Sequence, residues 1–590
     1  MNIIVSTLNA KYIHTSLALR YLKAYCEPDF NIHMMEYTIK DPIMNIVSDL
    51  YSRNPDVIGF SCYIWNIEET IPLIEMLKKI RPEIKIVLGG PEVSYDVSHW
   101  LERLQNVDYF VVGEGEETFK DLLEMIRDSG EPDSVAGIAY LKEGKPHRTA
   151  PRPKLDLKSV PSPFRFDEDL SQLSKRVTYI ETSRGCPYSC AFCLSSIEVG
   201  VRYFDIEMMK EEIRFLMTNG AKTIKFVDRT FNIRRDYALE MFEFLIKEHR
   251  PGTVFQFEIT ADIMRPEVID YLNEHAPKGL FRFEIGVQST NDTTNELVER
   301  RQNFEKLTRT VTTVRDGGKI VQHLDLIAGL PEENYDSFRK TFNDVFAFRI
   351  EEVQLGFLKM LRGTGLRIRA KEYDYIYMEK APYEILGNNI LAFDDIIKIK
   401  RVEDVLEKYW NDHRMDVTID YLITTVYGSA FDFFQRFGDY WERQGWSRIG
   451  HQLEDLFLRL RSFLKEEKVE RFEMIEGLMK YDYFIRQKHK PRKPWWDYKL
   501  DKKQQSSYFK FLSEHSAIVS EQFAGLSLYE KELHKHVMIE QLPFNLERFL
   551  EDGKMIEEAV LMILYFNPKT QVAQMFTVPE GRINDTYVAL

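Results

Sequence analysis

The chain has 590 residues, 44% hydrophobic and 13% aromatic, which is more than one hydrophobic core holds and ample for several packed domains. A formal net charge of -14 argues against a broad nucleic-acid footprint, and no run of about 18 apolar residues is present to span a membrane. Five cysteines in that length, and an amino terminus without a basic stretch leading into an apolar one, describe a cytoplasmic protein in a reducing compartment.

Residues 1–145 alternate short β-rich runs with segments of helical periodicity. The runs are Ile3–Leu8, Ile32–Tyr37, Val57–Cys62, Ile84–Leu88 and Tyr109–Val112, with helical patterns such as Ser16–Tyr25 and Thr70–Ile80 between them. Such alternation predicts an α/β domain with a parallel, Rossmann-like sheet of the flavodoxin type. Ligands of such sheets bind at the carboxyl ends of the strands. That singles out Ser61, Gly89, Gly90 and the turn Glu114-Gly115-Glu116, where small residues let a large ligand approach the backbone. Residues 146–175 read as a connector, because Pro146, Pro151, Pro153, Pro161 and Pro163 interrupt regular structure; it is expected to lie over the domain that follows.

Residues 176–370 carry the chemistry. Strands are predicted at Val177–Glu181, Thr223–Val227, Phe255–Ile259, Phe281–Val287, Gln322–Ile327 and Glu352–Leu358, with helices between them. Repeated β/α units of this kind predict a partial (β/α)6 barrel whose site lies at the carboxyl ends of its strands. There the chain places Cys186, Cys190 and Cys193 after the first strand, Asp228 and Arg229 after the second, Glu258 and Thr260 at the third, and Gln288 and Ser289 after the fourth. Three thiolates in one short loop can wrap one side of an iron-sulfur cubane and leave one iron open for a small chelating molecule. Zinc would want a fourth ligand, and neither a further Cys nor a His lies nearby in the sequence. Cys26 and Cys62 read as inert buried residues.

Residues 371–590 read as a mainly helical domain with a possible substrate-binding role. Leu453, Leu456, Phe457, Leu460 and Leu464 form one apolar stripe at helical spacing. The segment Arg486 to Lys499 sets Arg486, Lys488, Lys490, Arg492, Lys493 and Lys499 beside Trp495, Trp496 and Tyr498. Basic charge interleaved with aromatics suits single-stranded RNA or a phosphorylated substrate, although a solvated loop is the simpler account.

Three strings, Ile180-Glu181-Thr182-Ser183-Arg184-Gly185-Cys186-Pro187, Glu284-Ile285-Gly286-Val287-Gln288-Ser289 and Asp325-Leu326-Ile327-Ala328-Gly329-Leu330-Pro331, resemble those of cobalamin-dependent radical SAM proteins. Gly59-Phe60-Ser61, Gly89-Gly90-Pro91 and Gly113-Glu114-Gly115-Glu116 resemble the cobalamin-binding domain that precedes many radical SAM barrels, and the last 220 residues resemble the carboxyl-terminal extension of one subgroup. The resemblance implies a 4Fe-4S cluster on the three Cys, with S-adenosylmethionine (SAM) chelated at its open iron and Phe192 packed near adenine. Asp228 and Glu258, together with Gln288, would hold the SAM amino group and ribose, although Val227-Asp228-Arg229 stands where the family has Gly-Gly-Glu. Cobalamin would lie against Ser61, Gly89, Gly90, Glu114, Gly115 and Glu116. The family's Asp-x-His-x-x-Gly motif is missing, which leaves His14, or Tyr63 and Trp65, to face its lower side. The implied activity is reductive cleavage of SAM to a 5'-deoxyadenosyl radical followed by methylation of an unactivated carbon in a small molecule, peptide or RNA. The alternative is cyclisation, rearrangement or RNA modification without methyl transfer. An electron donor such as flavodoxin or ferredoxin is the expected partner, with no membrane and no favoured role for RNA.

Overall fold

Strand β1 (Ile3–Asn9) is buried along its whole length, and successive side chains enter two different cores. Ile4 and Leu8 pack with the helices Ile43–Ser52, Ile67–Ile80 and Val97–Arg103, whereas Ile3 and Val5 pack with Leu17–Cys26 and Glu116–Asp128. Helices on both faces explain why the strand is buried at every position rather than at alternate ones. This computed structural model describes residues 1–198, 200–492, 494–498 and 500–583. Two units divide the chain, 1–396 and 397–590.

In the first unit β1 is flanked by β2 (Ile32–Thr38) and β3 (Val57–Ser61), and β4 (Lys85–Gly89) and β5 (Tyr109–Val111) continue the parallel sheet. The order β2-β1-β3-β4-β5 is the flavodoxin-like one, with its switch point between β1 and β3. Two antiparallel strands, β6 (Ile138–Lys142) and β7 (Lys145–Arg148), then extend the sheet. The proline-rich segment therefore begins inside a strand at Pro146. The rest of that segment lies against both neighbours: Arg165 lies 3.8 Å over the Phe215 ring and Ser162 donates to Glu212 on the barrel helix Ile206–Thr218, while Arg152 pairs with Glu117 and Asp169 with Arg20 of the first domain.

Strand β8 (Val177–Ile180) opens the barrel, and β9 (Ser183–Cys186) forms an antiparallel hairpin with β10 (Gly200–Tyr203). With β8, the strands β11 (Thr223–Phe226), β12 (Val254–Ile259), β13 (Phe281–Gln288), β14 (Val321–Ala328) and β15 (Glu352–Phe357) make an all-parallel sheet in the order β8-β11-β12-β13-β14-β15. Its ends do not pair, so the barrel is partial. Period-2 alternation gives each barrel strand two chemistries. On β12 and β13, Phe255, Phe257, Phe281 and Phe283 are fully buried in a cluster with Phe242, while Glu258, Arg282 and Glu284 face the other way, into the lumen. A short hairpin of β16 (Ile376–Tyr377) and β17 (Ile385–Gly387) also belongs to this unit.

The second unit is mainly helical, as the stripe on helix Leu453–Glu466 predicts: Leu456, Phe457, Leu460 and Leu464 are buried. It also holds an antiparallel sheet that the sequence reading did not mark, β18 (Val537–Leu542), β19 (Val560–Phe566) and β20 (Ala573–Pro579). All seven residues of β19 are apolar or aromatic and buried, a run whose periodicity does not separate a central strand from a core helix. Among the described residues no helix is long and apolar enough to cross a membrane.

Candidate active site

The cysteine loop leaves the barrel through the β9/β10 hairpin, in which Cys186 pairs with Gly200. Gly185 has φ +99°, and a Cβ there would stand 2.0 Å from the Gly200 carbonyl oxygen, so only glycine lets the two backbones approach. Cys186 and Cys190 are buried, Cys193 and Phe192 are half-buried, and all five cysteines of the chain are free thiols. Burial pushes the Cys186 and Cys190 thiols up, and at Cys190 the rise is opposed by Arg300, whose Nη1 lies 4.0 Å from Sγ. The Ala191 amide donates to the Val298 carbonyl and the Leu366 amide to the Ala191 carbonyl, which ties the middle of the loop to the barrel rim.

Asp228, expected to touch SAM, is directed elsewhere. It is 1% exposed, and its carboxylate accepts from the Thr182 amide at 3.0 Å, the Thr182 hydroxyl at 2.7 Å and the Ser183 hydroxyl at 2.6 Å. These bonds brace the chain immediately before the cysteines. Neighbouring Arg229 is exposed and lines a cavity with no ion-pair partner recorded among the described residues. Glu258 lines the same cavity, and burial pushes its carboxyl up to about 7 although Arg229 and Lys225 pull it down. Lys225 reaches across to both oxygens of Glu284, at 2.8 and 2.7 Å. Gln288 sits at φ +68° where the β13 and β14 registers slip, and its buried Oε1 has no partner.

The cavity measures about 800 Å³ and lies where the carboxyl ends of the first sheet meet those of the barrel. Asn9, Ser61, Gly89, Gly90, Gly113, Glu114, Gly115 and Glu116 line it from one side; Tyr179, Glu181, Lys225, Arg229 and Glu258 line it from the other. His14 joins the wall with its Nδ1 2.7 Å from the Tyr179 hydroxyl, and Tyr63 and Trp65 stack 4.3 Å apart on it. Glu114 and Glu116, expected to contact a cofactor, are engaged by arginines of the barrel. Arg184 Nη2 lies 2.5 Å from Glu116 and 2.7 Å from Glu181, Nη1 lies 3.4 Å from Glu114, and Glu114 also pairs with Arg202. Burial opposes the charge of Arg184, but Glu181 and Glu116 outweigh it and hold the guanidinium above its ordinary range. Sequence reading missed this clamp because nothing in the spacing joins residues 114–116 to 184, although Arg184 stands two places before the first thiolate.

The residues present fit the implied groups. Three free thiols in one loop are a soft donor set suited to iron-sulfur ligation. Among the described residues no three His, Cys, Asp or Glu converge on one point as ligands of a single ion would, whereas a cluster spreads its ligands over separate irons. A Cβ at Gly113 would meet no atom within 4 Å, so this glycine leaves open space on the cavity wall.

The basic aromatic segment departs from the RNA reading. Trp495 and Trp496 are 7% and 5% exposed, so neither ring is free to stack with a base. Trp496 donates Nε1 to Glu540, which also takes the buried Lys480 at 2.9 Å. Lys490 donates to the His534 and Val537 carbonyls at the end of the helix Glu530–His536. Lys493 and Lys499 lie outside the described residues.

Residues 3–123 match the family model described as B12 binding domain, 180–345 match Radical SAM superfamily, and 371–565 match Protein of unknown function (DUF4080). The Uncharacterized methyltransferase PH0819 of Pyrococcus horikoshii is 23% identical over 397 residues, 65% of this chain and 83% of that protein. The Cobalamin-dependent radical SAM methyltransferase TokK of Streptomyces tokunonensis is 28% identical over 354 residues, 56% of this chain but only 51% of TokK. The structure of the cobalamin-dependent S-adenosylmethionine radical enzyme OxsB with aqua-cobalamin bound shares the fold, with TM-score 0.56 and 15% identity over 81% of this chain and 80% of OxsB. A radical SAM domain brings a 4Fe-4S cluster and SAM, and a B12 binding domain brings cobalamin. The chain thus joins a domain of the B12-binding family to one of the radical SAM superfamily and ends in a region of the DUF4080 family.

Proposed function

We propose that this chain is a cobalamin-dependent radical SAM methyltransferase that methylates an unactivated carbon of a small-molecule or peptide substrate. The observation that carries the reading is the single cavity shared by the switch point of the first sheet and the rim of the barrel. When bound, the cluster, SAM and cobalamin supply the radical and methyl chemistry; the protein positions them and excludes water.

Cys186, Cys190 and Cys193 are the cluster ligands in this reading, with Phe192 beside adenine. Glu258, whose carboxyl is pushed up to about 7, and Arg229 face the polar ends of SAM, whereas Gln288 lies outside the lining of the cavity they share. Ser61, Gly89, Gly90 and Gly115 line the cavity wall that would face cobalamin, while Glu114 and Glu116 act through Arg184 by fixing the cysteine hairpin against the first sheet. Asp228 serves as a positioning residue, because all of its recorded bonds go to Thr182 and Ser183. The methyltransferases PH0819 and TokK support methyl transfer over rearrangement, and a flavodoxin or ferredoxin suits the one-electron supply. With Trp495 and Trp496 buried, RNA loses its support as a substrate.

The test is anaerobic turnover with candidate substrates, in which methyl transfer yields 5'-deoxyadenosine and S-adenosylhomocysteine together. Formation of 5'-deoxyadenosine alone, with a product of unchanged carbon count, would replace methylation by rearrangement. Cys190→Ser is the control that should form neither product.

A further inference from the structure

Arg459, on the helix Leu453–Glu466, is 9% exposed and has no ion-pair partner recorded among the described residues. Its Nη1 is buried without a hydrogen-bond acceptor. Two indoles flank the guanidinium, with Cζ 5.3 Å from the Trp441 ring centroid and 5.1 Å from that of Trp446. The two rings stand nearly perpendicular to each other, at 76° with centroids 5.4 Å apart, and attract the cation without offering its N–H edge a lone-pair acceptor. Two more ring nitrogens beside it are also buried and unpartnered: Trp441 Nε1, and Nδ1 of His451, whose ring lies 4.8 Å from that of Trp441. The nearby Tyr409 hydroxyl already donates to the Leu456 carbonyl, and Lys408, 5.8 Å from the Trp441 ring, pairs with Asp404. Burial lowers the affinity of Arg459 for its proton, and the Tyr409 phenol opposes this.

A buried cation with an empty donor edge is costly unless a partner fills it. An indole N–H donates only and a guanidinium donates only, so a partner for either must be an acceptor, and a cation without a recorded ion pair asks for an anionic one. We propose that Arg459, Trp441 and His451 form a binding site for an oxyanion, a carboxylate or a phosphate group, in the carboxyl-terminal unit. The site is independent of the methyl-transfer reading, since it uses no residue of the cavity between the first sheet and the barrel.

The experiment titrates the full-length protein with acetate and, separately, with inorganic phosphate while following tryptophan fluorescence, which two indoles of the site report directly. A saturable change with one probe is expected, and which probe saturates assigns the carboxylate or phosphate class. Arg459→Met should weaken that binding about tenfold or more, the loss expected when a hydrogen bond to a charged group is removed. If Arg459→Met does not fold, Arg459→Lys and Trp441→Phe keep most of the volume and should each weaken binding. No saturable change with either probe, or a change that survives these substitutions at full affinity, would overturn the site.

Discussion

Asp228 and Arg184 are single side chains that hold the cysteine loop from two directions. Asp228 braces Thr182 and Ser183 from beneath, and Arg184 ties the same hairpin to Glu114 and Glu116. Asp228→Asn should weaken bonds each worth about 1.5–3 kcal/mol and lower the iron and sulfide retained per chain, while molecules that keep their cluster bind SAM as before. A variant with full cluster content and weakened SAM binding would return Asp228 to the role of a cofactor contact. Arg184→Met leaves the buried Glu116 and the neighbouring Glu181 without their cation, at an expected cost of about 3–5 kcal/mol in chemical denaturation. A loss below about 1 kcal/mol would mean that the clamp contributes little more than a surface ion pair.

At the scale of elements, the hairpin of β9 and β10 is the part whose geometry tolerates least change. Gly185→Ala must force a Cβ into the Gly200 carbonyl at φ +99°, so it should cost more than about 1 kcal/mol and abolish cluster retention; wild-type iron content in that variant would contradict the close approach. The strands themselves were legible because apolar runs and turn residues mark them within a residue or two, as at Ile3–Asn9 and Phe281–Gln288. The cysteine spacing pointed to the same cofactor that the radical SAM match implies. What stayed hidden depends on tertiary pairing: the carboxylate of Asp228 reads in sequence like a rim acid and folds inward, and the turn 114–116 reads like a ligand cradle until Arg184 reaches it. The run Val560–Phe566 was concealed for a different reason, since an all-apolar stretch of seven residues shows neither a strand nor a helix period.

At the scale of the whole molecule, acid and base behaviour divides between the units. In the second unit Asp482 is fully buried, and burial raises its carboxyl from 3.8 to about 7 although Thr418 donates to it from both amide and hydroxyl. Its folded value exceeds its unfolded one, so the folded state binds more protons between those two values. This contribution to stability is therefore greatest below the window, falls as pH rises through it, and is constant above about 7. Asp482→Asn should flatten that slope in unfolding midpoints measured on either side of the window; an unchanged slope would assign it to other groups. The central claim concerns the first unit, where one cavity joins the switch point of the sheet to the cysteine-bearing barrel. Its most direct test is pulsed electron paramagnetic resonance of anaerobic protein loaded with cob(II)alamin and a reduced 4Fe-4S cluster. Two magnetically coupled spins are predicted, as befits cofactors facing each other across one space, and failure to retain a corrinoid, or two fully uncoupled spins, would contradict the account.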